Sequence, residues 1–166
     1  MAYQTIRHTF EPVFDGESEV LILGSLPSLK SRENGFYYGH PQNRFWRVLA
    51  AVLGTELPET TEAKRSLLLA NHIALWDVIA QCDIEGSSDS SIRNVIPNDI
   101  NVILTQAPIR QIYANGNKAF ELYRRYCQPL CGREAQRLPS TSPANAAWQL
   151  NRLTEAWHCI IGHSGG

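Results

Sequence analysis

Lysine is scarce in this chain: among 15 basic residues only Lys30, Lys64 and Lys118 are lysines, and the rest are arginines. Against 16 acidic residues they leave a formal net charge of -1. That excludes the strongly basic field of many sequence-independent nucleic-acid binders, while leaving room for a local patch of arginines suited to fork-like phosphate contacts. The 4 cysteines, Cys82, Cys127, Cys131 and Cys159, form no CxxC pair and no Cys/His spacing of structural zinc, so buried reduced thiols are expected and no metal. No apolar run approaches the roughly 20 residues of a spanning helix, and no apolar core of a secretion signal follows Met1. The expected location is the cytoplasm, or the nucleus in a eukaryote, with no membrane partner.

What the sequence does contain is ordinary globular material. Its 166 residues are 43% hydrophobic and 19% charged, and a chain of this length buries about 68 to 70% of its extended surface. We read residues 1–166 as one domain with its core from about 19 to 160, without linker or internal repeat.

The clearest strand is Glu19 to Gly24, an apolar run suited to burial on both faces. Phe45, Trp46, Leu49, Ala50, Val52 and Leu53 recur at helical spacing over 43–53, with Asn43 as N-cap and Gly54 as stop. A second helix is expected from Thr61 to Asn71, a second core strand from Ile73 to Ile79, and a surface loop over Gly86 to Ser91. Asn98 to Ala107 reads as helix ended by Pro108, and Arg110 to Gly116 as strand. A helix from Asn117 to Tyr126 and a short strand from Gln136 to Pro139 follow. The last helix is expected to begin near Ala144 and to carry Trp148, Leu150, Leu153 and Trp157.

Strands alternating with helices imply an α/β fold, a three-layer α/β/α sandwich around a mainly parallel four-stranded sheet. Ligands of such sheets bind at the carboxyl ends of the strands. That rule gathers the Gly24–Ser28 loop, Asp77, the Asn115-Gly116 turn and the Ser140–Pro143 loop on one rim.

Two of these loops carry a recognisable pattern. Gly24-Ser25-Leu26-Pro27-Ser28, followed by Gly35-Phe36-Tyr37-Tyr38-Gly39-His40-Pro41-Gln42-Asn43-Arg44-Phe45-Trp46, resembles the first motif of the uracil-DNA glycosylase superfamily. Leu138-Pro139-Ser140-Thr141-Ser142-Pro143-Ala144-Asn145 is similar to its second motif, and Asn115-Gly116-Asn117-Lys118-Ala119 to the turn between them. The G-S-x-P-S and S-T-S-P-A-N forms lean toward the hypoxanthine-DNA glycosylase branch. The resemblance implies a monofunctional enzyme that flips a deaminated base, hypoxanthine above all, out of DNA and hydrolyses its N-glycosidic bond to leave an abasic site. It would act as a monomer with no cofactor. Leu26 stands where the mismatch-specific enzymes carry a water-positioning asparagine, which counts against a uracil or mixed-specificity enzyme. A damaged-DNA-binding module without catalysis is the alternative of another class.

The resemblance assigns catalysis to Asn43, whose amide would orient water or donate to the departing base; helix capping is its other reading. Phe36, Tyr37 and Tyr38 offer flat faces for an extruded base, with Tyr38 at the family's stacking position, against a reading as core packing. Ser25 belongs to the base-binding loop, and His40 would polarise the base or serve structurally. Asp77 is a candidate base reader, because a carboxylate accepts the N1-H of hypoxanthine and repels the N1 lone pair of adenine; a turn cap is its plainer role. Ser140, Thr141 and Ser142 suit phosphate contacts, or an ordinary helix cap. Lys118 suits phosphate or, if desolvated, Schiff-base chemistry. Arg44, Arg47 and Arg93 are DNA-facing or solvated.

Overall fold

A computed structural model describes residues 3–8, 10–86 and 88–161, apart from the side chains of residues 29, 30 and 89. In chain order the elements are β1 (Gln4–Arg7), β2 (Val20–Gly24), α1 (Leu29–Asn34), α2 (Phe45–Leu53), α3 (Thr61–Ala70), β3 (Ile73–Asp77) and β4 (Ile79–Ile84). There follow β5 (Arg93–Pro97), α4 (Asn101–Leu104), β6 (Gln111–Asn115), α5 (Asn117–Leu122), a π-helical turn (Tyr123–Cys127), α6 (Gln128–Cys131), β7 (Ala135–Leu138) and α7 (Leu150–Trp157).

Every residue of β2 is buried, as its unbroken apolar run requires of a strand covered on both faces. It lies inside a parallel four-stranded sheet of order β3-β2-β6-β7, the centre of an α/β sandwich. The register sets Gly24 beside Asp77, Leu23 beside Ala114 and Asn115 beside Leu138. The carboxyl ends of the strands therefore meet along one rim. Helix α2 lays Phe45, Val48, Leu49 and Val52 into the core and meets α7 where Phe45 and Trp157, both fully buried, pack edge to face at 5.8 Å. Each such side chain contributes about 1.5–3 kcal/mol by leaving water. Gly54 ends α2 in the left-handed region at φ 68°, as expected of a glycine stop.

The strand expected from Ile73 to Ile79 is two strands in two sheets. After Asp77 the Val78 amide turns to the carbonyl of Gly24 at 2.8 Å, and Asn98 Nδ2 bridges the bend by donating to the carbonyls of Asp77 and Ile79. From Ile79 the chain belongs to an antiparallel sheet of order β1-β4-β5, which the sequence did not disclose. Its outer strands are largely exposed and have no apolar periodicity to betray them. Asn98 also explains why the helix expected over 98–107 contracts to α4: its side chain and amide are spent on the β3–β4 bend.

Two other boundaries moved. The helix expected to stop at Tyr126 continues through the π-helical turn and α6 to Gly132, whose φ of 71° ends it. The last helix begins at Leu150, not near Ala144, because the intervening carbonyls of Ser142, Asn145 and Trp148 accept from the Arg44 guanidinium and are withheld from a helical ladder. In the loop expected over Gly86 to Ser91, Ser87 lies outside the described residues, and Asp89–Ser91 forms a 3-10 turn. No helix among the described residues is long and apolar enough to cross a membrane.

Candidate active site

A cleft of about 870 Å³ opens along the carboxyl rim of the parallel sheet. Ser25, Leu26, Tyr38, Asn43, Asp77, Asn115, Lys118, Ser140, Thr141 and Ser142 all line it. The four rim segments picked out by strand order thus share one cavity.

Its side wall is a hydrogen-bond chain from β6 to the start of α2. Asn115, the last residue of β6, accepts from the Thr141 amide at 3.1 Å and donates through Nδ2 to Thr141 Oγ1 at 3.0 Å. With its oxygen already accepting, the Thr141 hydroxyl donates to Asn43 Oδ1 at 2.9 Å. That same oxygen accepts from the Phe45 amide, also at 2.9 Å. A backbone N-H can only donate, so the orientation of the Asn43 amide is fixed: its carbonyl oxygen has both lone pairs filled. Among the described residues its NH2 group has no hydrogen-bond partner, and it is left to the cleft.

Behind this wall Arg44 holds the second loop. Its guanidinium donates to the carbonyls of Ser142 at 2.8 Å, Asn145 at 3.1 Å, Thr141 at 3.4 Å and to that of Trp148. Arg44 therefore faces inward, not toward solvent or DNA. The Ser140–Pro143 loop is correspondingly no helix cap, since only turns follow it.

The far end of the cleft is acidic. Asp77 is nearly buried and its Oδ2 lies 2.8 Å from Nε2 of His8, a residue also nearly buried just beyond β1. Beside them Gly24 leaves no room for a side chain: a Cβ there would fall 2.7 Å from Tyr38 Oη and closer still to Asp77 Oδ1. Tyr38 stands in the left-handed region at φ 54°, unusual for an aromatic residue, with one ring face stacked on Phe45 at 4.1 Å. Burial, aided by the Asp77 charge, pushes its phenol well above the ordinary value. Among the described residues the hydroxyl completes no hydrogen bond.

Not every expected residue reaches the cleft. Phe36 is buried away from it, parallel to Trp46 at 6.1 Å; Tyr37 borders the cleft but is almost wholly buried, its hydroxyl donating to the Glu11 carbonyl at 2.8 Å. His40 lies outside the cleft lining and accepts from the Gln42 amide through Nδ1, fixing its own turn. Arg47 is exposed on α2, and Arg93 lies over the Tyr3 ring. Sequence reasoning missed His8, 69 positions from its partner, and Arg32, which lines the cleft with its Nε buried and without a hydrogen-bond partner among the described residues. Nothing in a polar N-terminus could have singled out His8; Arg32, eight residues beyond Gly24, was at least close to the motif. Among the described residues no three His, Cys, Asp or Glu side chains form a group able to hold a metal ion.

Comparison with known proteins places this geometry. The chain is 39% identical over 163 residues to a hypoxanthine DNA glycosylase of Methanosarcina acetivorans, covering 95% of this chain and 99% of that one. It is 38% identical over 141 residues to a hypoxanthine DNA glycosylase of Methanosarcina barkeri, covering 84% and 88%. Among solved structures it superposes with a TM-score of 0.82 on the solution NMR structure of a Methanosarcina acetivorans protein provisionally described as a uracil DNA glycosylase, at 37% identity over 98% of this chain and 100% of that one. The family model of the uracil DNA glycosylase superfamily matches residues 11–160, a span that takes in every cleft segment described above. The chain belongs to the uracil DNA glycosylase superfamily.

Proposed function

We propose that this protein excises hypoxanthine from DNA by hydrolysing the N-glycosidic bond of deoxyinosine, leaving an abasic site. The observation that carries the chemistry is the saturated carbonyl of Asn43, which commits its NH2 group to the cleft. A flipped base must lose its bond to C1′ with the bonding electrons, and negative charge then grows on the base. An N-H donor fixed in advance toward that charge lowers the barrier, an effect worth roughly 10²–10³ in rate. Of the two roles the Asn43 amide offers, donation to the departing base is the one this wall supports. Water adds to the electron-poor C1′, its oxygen bonding to the carbon while its proton is lost to solvent, and the departed base takes up a proton.

Specificity lies at the acidic end. Asp77 Oδ1 accepts no hydrogen bond among the described residues and borders the cleft. It accepts the N1-H of hypoxanthine and repels the N1 lone pair of adenine. The open part of the Tyr38 ring stacks on the base, with Ser25 beside it. Lys118, Ser140 and Ser142, on the rim, contact phosphates, while Thr141 acts from behind. The enzyme works as a monomer on DNA in the cytoplasm, or in the nucleus of a eukaryote.

The description of the solved relative favours a second reading, excision of uracil. Uracil also carries an imino N-H that Asp77 would accept. Against it, Leu26 brings hydrocarbon, with no polar group, to the cleft wall. The test is strand breakage after alkali on matched oligonucleotides holding deoxyinosine, deoxyuridine or adenine. Inosine-selective breakage is expected, breakage at uracil alone would replace hypoxanthine by uracil, and no breakage from folded, DNA-binding protein would overturn glycosylase activity altogether.

A further inference from the structure

The deamination of a purine or pyrimidine turns a ring nitrogen with a lone pair into an N-H, so a pocket selecting deaminated bases needs a fixed acceptor there. A lone aspartate is a poor one, since its carboxylate rotates and either oxygen serves. Here the rotation is blocked. His8 Nε2 engages Oδ2 at 2.8 Å, with the two side chains only 1% and 4% exposed. The imidazole is itself held, edge-on to Phe10 at 5.7 Å and tilted against Tyr37 at 5.9 Å, and its backbone amide donates to the Ala80 carbonyl at 2.7 Å. Oδ1 is then the oxygen that faces the cleft, beside the bare Cα of Gly24. The second sheet acquires a purpose by the same contacts: β1 pairs with β4 in the register Ile6 to Cys82 and Arg7 to Gln81, which brings the next residue, His8, to the end of β3.

We propose that His8 is a specificity-determining positioning residue: it holds Asp77 with Oδ1 turned to the cleft, so that the pocket accepts the imino N-H of a deaminated base and rejects the unprotonated ring nitrogen of adenine. This rests on the role given to Asp77 above. His8 touches no base and acts only through the carboxylate.

The experiment compares His8→Leu, which cannot donate, with His8→Gln, whose amide N-H replaces the imidazole donor. Single-turnover kcat/KM is measured on inosine- and adenine-containing duplexes, with thermal midpoint and binding to abasic DNA as checks on the fold. His8→Leu is expected to lower inosine kcat/KM roughly 100-fold, the scale of a misplaced functional group, and to shrink the inosine-to-adenine ratio. His8→Gln restores most of both. In an Asp77→Asn background the His8 substitutions should change the ratio no further. If His8→Leu does not fold, His8→Asn, polar but too short to reach Oδ2, takes its place with the same expectation. A folded Leu or Asn variant with an unchanged ratio and rate overturns the inference while leaving the proposed function intact. An Asp77→Asn variant in which His8 substitutions still move the ratio overturns it as well. Wild-type protein that excises no deaminated base would overturn the proposed function first, and this inference with it.

Discussion

Thr141 Oγ1 donates to Asn43 Oδ1 across 2.9 Å, joining loops 98 positions apart in the chain. The bond is short and shielded, since Thr141 is fully buried, and it decides which end of the Asn43 amide the substrate meets.

Substitution at Asn43 separates its two functional readings. Asn43→Asp keeps the acceptor and loses the N-H donor, so it should fall as far as Asn43→Ala, about 10²–10³ in single-turnover rate on inosine DNA. Binding to abasic DNA should stay near wild type. An aspartate variant with nearly full rate would show that the carbonyl, orienting water, is the working group.

Arg44→Lys should release the Ser140–Trp148 segment. A lysine presents a single ammonium and cannot reach the four carbonyls that the guanidinium fork serves. Leaving them short of donors should cost about 1–3 kcal/mol. Hydrogen exchange should rise across 140–148 while β2 and β6 stay protected.

Gly24→Ala tests the crowding at the acidic end. A methyl there would overlap Asp77 Oδ1 and Tyr38 Oη, so both must give way. The protein should remain folded, because the displaced groups border a cavity, while the inosine-to-adenine excision ratio collapses. A ratio equal to wild type would show that neither group reads the base.

Phosphate contacts should be visible in salt dependence. Lys118 and Arg32 both line the cleft. Replacing either by alanine should weaken binding equally for inosine and undamaged duplexes and reduce the slope of log K against log salt by about 1. A change confined to inosine DNA would move that residue from the strand to the base.

Alkali should unfold this protein by way of its tyrosines. Burial, with smaller help from Cys159, pushes the Tyr113 phenol up to about 12. Burial likewise raises Tyr37, Tyr38 and Tyr123 far above their ordinary value of 10.0. These groups hold their protons more tightly folded than unfolded, so their stabilisation is complete below the unfolded value and is lost as pH rises beyond it. Urea midpoints should be flat toward pH 10.0 and fall steeply above it. In a background with the exposed Tyr3 and the half-buried Tyr126 replaced by phenylalanine, tyrosinate absorbance should appear together with unfolding rather than before it, and its early appearance from folded protein would contradict the burial of the remaining four rings.

Much of the sandwich was legible because apolar pattern and punctuation agreed. The run through Leu21, Ile22 and Leu23, the Gly54 stop and the Thr61 helix reflect burial and backbone geometry, which act locally and leave their mark on neighbouring residues. The rim of Ser25, Asp77, Asn115 and Ser140 followed from strand order alone, since parallel strands put their carboxyl ends together. The motif resemblance supplied Asn43, but the N-cap expected of it falls to Arg44, and Asn43 meets the Phe45 amide from one residue before the cap.

What stayed hidden depended on partners distant in sequence. The polar strands β1 and β5 gain their place from pairing with β4, not from any period of their own. Phe36 and Tyr38 are two positions apart in one aromatic turn, yet one packs on Trp46 in the core and the other stands at the cleft. Arg44 read as DNA-facing or solvated until four carbonyls about a hundred residues later turned it inward. The sequence by itself determined the parallel sheet, the family and the segments that meet at its rim, because these rest on local patterns of apolarity and turn residues. Only the tertiary structure decided that the Asn43 carbonyl is filled and that His8 stands behind Asp77, because a hydrogen bond is set by where two groups lie in space and leaves no trace in the order of the chain.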